Sequence, residues 1–272
     1  MFKGKKIAII GGGKMGSIIA QALTKKKLSP KKNIGITDID QGRLDFISST
    51  MRFPVSGDNK KAAKNAAVII LAIKPQNMRE TLNEIAPFIS KSKVIISIAA
   101  GITTSLIESI LPEKSRVLRV MPNTPALAGE GAAAVAKGKY ATNADLKLTR
   151  AIFDAVGLSV EVEEIFMDAV TGLSGSGPAY FFMIIEALIE AGQKVGLSRD
   201  LAAKLSMQTM LGAAKLCLQS DKEPAQLREM VTSPGGTTAA GLKVLQEGKI
   251  RETFIAAVEA ATARARQLAS GQ

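Results

Sequence analysis

The chain has 272 residues with no histidine and one cysteine, Cys217, which removes Ser-His and Cys-His nucleophilic pairs, imidazole bases, intramolecular disulfides and nearly every zinc site. Its 36 Lys and Arg outweigh 24 Asp and Glu for a formal charge of +12, yet only nine Phe, two Tyr and no Trp accompany them. That balance argues against a nucleic-acid surface of interleaved basic and aromatic residues, and the positive excess is expected to attract an anionic cofactor and substrate.

In chain order, Ile7–Ile10 reads as a strand, followed by Gly11-Gly12-Gly13-Lys14-Met15-Gly16 and a helix over Met15–Thr24. Strand, tight turn and helix are the context that a Gly-x-Gly-x-x-Gly dinucleotide fingerprint requires. Gly11 permits the turn, Gly13 admits a pyrophosphate against the backbone, and Gly16 lets the helix lie close to the strand. Asn33–Thr37 is the second strand, and Asp38 at its end is placed to accept from a ribose 2′-hydroxyl and to repel a 2′-phosphate. This argues for NADH, while Arg43 one turn on offers a contact for NADPH. Asp38 or Asp40 equally suits the cap of a helix over Gln41–Thr50.

Further strands are expected at Val68–Ile73, Val94–Ile98 and Arg116–Val120, with helices over Pro75–Phe88 and Thr103–Ile110 between them. Gly131–Ala136 and Leu158–Val162 flank a helix near Asn143–Ala155 and complete the set. Strands alternating with helices predict a doubly wound parallel sheet covered on both faces. Its carboxyl strand ends face the ligand crevice, which places Ala72-Ile73-Lys74-Pro75 and the small residues Ala99 and Ala100 toward a nicotinamide.

After Glu164 the pattern turns wholly helical: Ile165–Val195, bent near Gly175–Pro178, then Leu201–Gln219, Ala225–Met230, Thr237–Gln246 and Arg251–Ala269. The expected division is a Rossmann-like domain over 1–164 and an all-helical domain over 165–272. The apolar excess of the second part points to a homodimer. Cys217, between Leu216 and Leu218, reads as a small core residue. The most apolar run, Leu173–Ile185, falls short of the ~20 residues a membrane span needs. With a lone thiol and a first strand that leaves no room for a signal-peptide core, a soluble cytoplasmic protein without membrane or nucleic-acid partners is expected.

The stretch Met230–Gly241 carries the second chemical signal. Ser233-Pro234-Gly235-Gly236 turns sharply, and the helix it opens leaves backbone N–H groups unpaired at Thr237 and Thr238, each with a hydroxyl besides. Such a terminus seats a carboxylate beside a polar reacting atom. A plain capped helix start is the other reading of those residues.

Taken together, the Gly11–Gly16 turn, Ala72–Pro75, Ser97–Gly101, Arg119-Val120-Met121-Pro122-Asn123-Thr124-Pro125, Leu173-Ser174-Gly175-Ser176-Gly177-Pro178-Ala179-Tyr180 and Val231–Thr238 resemble pyrroline-5-carboxylate reductases over essentially the whole chain. The resemblance implies reduction of 1-pyrroline-5-carboxylate to L-proline by NADPH or NADH, with no metal. It implies a Rossmann-like first domain and a helical second domain that dimerises and assembles into rings such as a decamer. Carried over by position, Gly11, Gly13, Lys14, Met15, Gly16, Asn59 and Ala72–Pro75 touch the cofactor. Ser233, Gly236, Thr237 and Thr238 hold the substrate. Asp38 departs from relatives with a small polar residue there. A cyclic imine is already electrophilic, so hydride delivery needs positioning more than covalent help, and Thr238 is the expected catalytic group at the ring nitrogen.

Two other readings stay open. A β-hydroxyacid dehydrogenase shares the fingerprint and the helical second domain, but Phe181 stands where those enzymes carry a lysine. A nucleotide sensor would keep the fold and lose the reaction, with damage expected at the glycines or at Ser233–Thr238, and neither segment is damaged.

Overall fold

The computed structural model describes Phe2 and residues 4–269. β1 (Ile7–Ile10) is apolar at every position and fully buried, the pattern of a strand covered on both faces. Alternate side chains serve opposite cores: Ile7 and Ile9 join Ile19, Leu23, Ile34 and Ile36 on one face, while Ala8 and Ile10 join Ile69, Leu71, Met78 and Leu82 on the other. Around β1 the sheet runs β3-β2-β1-β4-β5-β6-β7-β8. The remaining strands are β2 (Ile34–Thr37), β3 (Val55–Ser56), β4 (Val68–Leu71), β5 (Val94–Ser97), β6 (Arg116–Met121), β7 (Gly131–Lys137) and β8 (Gly157–Glu161).

The helices of this part are α1 (Lys14–Lys25), α2 (Gln41–Phe46), α3 (Asn59–Asn65), α4 (Met78–Ile85), α5 (Thr104–Ile110) and α6 (Asn143–Phe153). The helix expected over Gln41–Thr50 changes at Ile47 into one turn of π-helix, stopped at Arg52 with φ of 58°. β3 and α3 escape sequence reading because two strand residues and seven helical ones carry no readable period.

The expected all-parallel sheet is corrected at one seam, where β6 and β7 pair antiparallel. Residues 122–130 join them, too short a connection for a parallel crossover of roughly a dozen residues or more. β7 and β8 are again parallel, with α6 between them.

Arg119 on β6 is buried, 3% exposed, and faces Glu164 at 3.5 Å and Asp168 at 3.7 Å. The Glu164 carboxylate also accepts from the backbone N–H of Thr104, at 2.7 Å, and from its hydroxyl. The start of the long helical stretch is thereby fastened to the sheet and to the N-terminus of α5. Burial holds the Glu108 carboxyl above the usual carboxylate range and the Lys93 ammonium below the usual lysine range.

Contacts divide the chain into one unit of residues 1–176 with 260–272, and a second of residues 177–259. Helical structure begins at Glu164, passes through α7 (Met167–Val170) and a π-turn over Thr171–Gly175, and continues as α8 (Gly177–Lys194). The second unit then holds α9 (Arg199–Gln219), α10 (Pro224–Met230), α11 (Thr237–Glu247) and the first half of α12 (Ile250–Ala269). Three of its described residues are buried, Gly177, Ala202 and Leu227, while Phe181, Phe182, Met183, Leu205 and Leu218 are exposed. Cys217 is exposed as well, which corrects its expected place in a core: α9 packs against α8, yet Ala202 is the one residue it buries. The helical stretch Glu164–Lys194, 31 residues with an 18-residue window of mean hydropathy 1.3, is long and apolar enough to cross a membrane by length and composition, because helix extends the run Leu173–Ile185 on both sides.

Lys93 closes α3. Its ammonium donates to the carbonyls of Ala63 at 2.8 Å, Lys64 at 2.9 Å and Ala66 at 2.6 Å, where the helix end supplies no N–H donors of its own. Lys93→Met is expected to lower unfolding free energy by about 1.5–3 kcal/mol, the range for hydrogen bonds to a charged group, read as a lower urea midpoint at unchanged slope. Lys91→Met, at an exposed neighbour, is the control and is expected to change the midpoint little.

Candidate functional site

At the end of β1 the backbone crowds itself. Gly11 has φ of 106° and donates to the carbonyl of Thr37 at 2.8 Å, and a Cβ there would lie 2.3 Å from the carbonyl oxygen of Ala72. A Cβ on Gly16 would lie 2.1 Å from the carbonyl oxygen of Gly11. Gly13 differs: a Cβ there would meet nothing within 4 Å, so the crowded turn is open on the side where a pyrophosphate would rest. Gly13 caps α1 without a side-chain hydrogen bond, and the first turn carries no acid. The first intrahelical bond is that of Ser17 to Gly13, which leaves the amides of Lys14, Met15 and Gly16 for an anion. Ser17 Oγ donates to the carbonyl of Gly12 at 2.9 Å and locks the loop.

At the end of β2, the Asp38 carboxylate accepts from the N–H of Gly12 at 2.7 Å and of Asp40 at 3.0 Å. Asp40, the other candidate, caps α2 by accepting from the N–H of Arg43 at 3.1 Å. Thr37 Oγ1 donates to Asn59 Oδ1 at 2.6 Å, and Asn59 Nδ2 donates to Glu84 at 2.9 Å. Asn59 is therefore oriented at both ends of its amide. Ala72 and Ile73 are half-buried after β4, Lys74 and Pro75 are exposed, and beyond β5 Ala99 is buried and Ala100 exposed. Gly11–Gly16, Asp38, Ala72–Pro75, Ala99 and Ala100 all lie at the carboxyl ends of parallel strands, and Asn59 begins the helix after β3. β1 sits between β2 and β4, the switch point at which open sheets of this kind hold nucleotides. Sequence reasoning missed Ser17, Thr37 and Glu84, which brace this site. A hydroxyl one residue past the last fingerprint glycine was the readable signal for Ser17.

The densest lysine clusters behind the positive excess lie away from this site. Lys25–Lys27 end α1 and Lys31–Lys32 lead into β2, at the opposite edge of the sheet.

The second set of site residues belongs to the second unit. Ser233–Gly236 forms a turn closed by the N–H of Gly236 donating to the carbonyl of Ser233 at 3.0 Å, with Pro234 second and Gly235 third at φ of 71°, the type II pattern. Gly236 caps α11 with no side-chain hydrogen bond and no acid in the first turn. Ala240 makes the first intrahelical bond, to Gly236, so the amides of Thr237, Thr238 and Ala239 precede any helical partner. Ser233 Oγ stands over this opening, 2.4 Å from where a Cβ on Gly236 would be. Thr237 is exposed, Thr238 half-buried. Tyr180 is half-buried, and Phe181 is exposed. Among the described residues no cluster of His, Cys, Asp and Glu suits a metal.

Comparison with known proteins places both parts. Residues 164–268 match the family model for pyrroline-5-carboxylate reductase dimerisation, and residues 6–101 that for NADP oxidoreductase, coenzyme F420-dependent. The pyrroline-5-carboxylate reductase of Methanosarcina acetivorans is 44% identical over 97% of this chain and 98% of its own length. A solved pyrroline-5-carboxylate reductase structure from Coxiella burnetii superposes with a TM-score of 0.92 at 39% identity, covering 97% of this chain and 98% of that one. The Plasmodium falciparum pyrroline carboxylate reductase with NADP bound gives 0.88 at 33% identity, covering 98% of each. The chain belongs to the pyrroline-5-carboxylate reductase family, as an NAD(P)H-dependent oxidoreductase that reduces 1-pyrroline-5-carboxylate to L-proline.

Proposed function

We propose that the two bare helix N-termini divide the work of this reductase, with α1 holding the cofactor pyrophosphate and α11 the substrate carboxylate. The observation that carries this reading is the start of α11, where a glycine cap, three amides ahead of the first helical bond and two hydroxyls meet within four residues. Gly11, Gly13, Lys14, Met15 and Gly16 cradle the pyrophosphate, Asp38 and Asn59 serve the adenosine ribose, and Ala72–Pro75, Ala99 and Ala100 border the nicotinamide. The residues fit that group: an anion seat opens at Gly13 where a side chain would meet only space. The chain is read as a dinucleotide-binding domain over 1–164 and a substrate-binding, dimerising domain over 165–272.

When bound, the reduced cofactor supplies a hydride to the imine carbon, and the C=N π pair becomes a nitrogen lone pair that takes a proton. Ser233, Gly236 and Thr237 fix the carboxylate, a helix-terminus interaction typically worth about 0.3–2 kcal/mol. Thr238 Oγ hydrogen-bonds the ring nitrogen, orienting the imine and holding its proton.

The Asp38 carboxylate, braced by two backbone N–H groups, sets a negative charge at the end of β2 that opposes a 2′-phosphate, so NADH is the favoured cofactor. Arg43, whose Cγ lies 3.4 Å from the site of a Gly12 Cβ, tempers that preference. The exposed apolar side chains of the second unit support a homodimer through the helical domain, and a larger ring such as a decamer. The stretch Glu164–Lys194 is covered by a second copy and not by lipid, since Glu186 and Glu190 interrupt its apolar run. A cytoplasmic location accords with that reading.

Thr238→Ala is expected to lower kcat/KM for 1-pyrroline-5-carboxylate by about 10- to 1,000-fold, with Thr238→Ser recovering most of it; equal activity of the alanine variant removes the role. Asp38→Ser is expected to raise the kcat/KM ratio of NADPH to NADH about 10-fold or more, and an unchanged ratio refutes the charge argument. Sedimentation at micromolar protein is expected to give a dimer or a multiple of it, against which a fully active monomer would count decisively.

A further inference from the structure

Part of the positive charge of this chain is gathered away from its chemistry. Ile7, Ile34, Val68 and Val94 stand in one row across β2, β1, β4 and β5. The segments leading into that row, residues 4–6, 25–33, 64–67 and 89–93, contain no Asp or Glu. They supply Lys6, Lys32, Lys64 and Lys91, one ahead of each strand and all exposed, with exposed Lys25 and Lys26 at the end of α1. Neighbouring strands lie about 4.8 Å apart, so four such lysines make a line roughly 15 Å long. Two hollows flank the start of β2, one of about 320 Å³ bordered by Lys6 and Lys32, the other of about 700 Å³ bordered by Lys25 and Lys26. The cofactor crevice occupies the other edge of the sheet, so binding NAD(P)H does not account for this line.

We propose that this edge binds the phosphodiester backbone of single-stranded nucleic acid without reading its bases. A line of cations that ends beside two hollows suits a linear polyanion. An anionic lipid surface would be gripped by apolar side chains inserted beside the charges; among the described residues the segments carrying these lysines expose no large apolar side chain, and Leu127 stands alone in the larger hollow. The scarcity of aromatic residues bears on base stacking only, since phosphates need no more than cations. Phe53, the aromatic residue in the larger hollow, is 3% exposed under the ammonium of Lys31 and offers no ring to a base. Recognition is therefore electrostatic, independent of sequence and sensitive to salt.

The test is fluorescence anisotropy of a labelled oligothymidylate titrated with the full chain at several salt concentrations, with and without saturating NADH. Binding is expected to weaken with a log–log salt slope of about −3 to −4, from roughly four to six phosphate contacts, and to persist with NADH present. The variant Lys25→Gln, Lys26→Gln, Lys32→Gln is expected to bind about 10-fold or more weakly, to flatten the slope by about 2, and to keep its kcat/KM. The variant Lys147→Gln, Lys215→Gln, Lys222→Gln loses the same charge elsewhere and is expected to bind as the parent does. The proposal is overturned if both variants weaken equally, if NADH displaces the oligonucleotide, or if phosphatidylserine vesicles bind while the oligonucleotide does not.

Discussion

The close approach of three backbones at the end of β1 is the constraint around which the first unit is arranged. Gly11 must pass within contact of the Ala72 carbonyl and Gly16 within contact of Gly11, distances that exclude any side chain at either position. That crowding brings the start of α1 and the ends of β1, β2 and β4 to one point. Its result is a set of fixed amides with a single open side, at Gly13. Asp38 and Ser17 then hold the loop from two directions, through the N–H and the carbonyl of Gly12. The proposed cofactor cradle is thus mostly main chain, and its shape follows from where a Cβ cannot go.

The second site uses the same physics with different supports. Gly236 opens α11 as Gly13 opens α1, and neither helix places an acid in its first turn to satisfy the amides internally. A chain without histidine can run this reaction because the electrophile comes with the substrate and the hydride with the cofactor. What remains for the protein is to hold a carboxylate, a pyrophosphate and a ring nitrogen, tasks for amides and hydroxyls.

Much of this was legible from residue order alone. The apolar runs at Ile7–Ile10, Val68–Leu71 and Val94–Ser97 announce buried strands, and Gly11–Gly16 and Ser233–Thr238 announce turns that open helices. Val55–Ser56 and Asn59–Asn65 were not legible, being too short to show a period. Nor was the reversal between β6 and β7, which depends on the length of the link between them. Cys217 looked like core because leucines flank it, yet a helix can be apolar for a surface another molecule covers. The lysines show the widest gap: a run such as Lys25–Lys27 reads as charge near a nucleotide fold, and only the order and direction of the strands reveal that it sits at the edge away from the nucleotide.

With three residues buried in its second unit, the chain leaves most of its apolar helical surface uncovered, the surface proposed for another copy. In a two-fold assembly each position on that surface is present twice, facing its own symmetry mate or a shared neighbour. One codon change there alters two sites of a single interface at once, so its cost or benefit enters doubled. In such an assembly drift across these helices is filtered more sharply than their exposure in one chain suggests, and compensating changes must restore two contacts with one substitution.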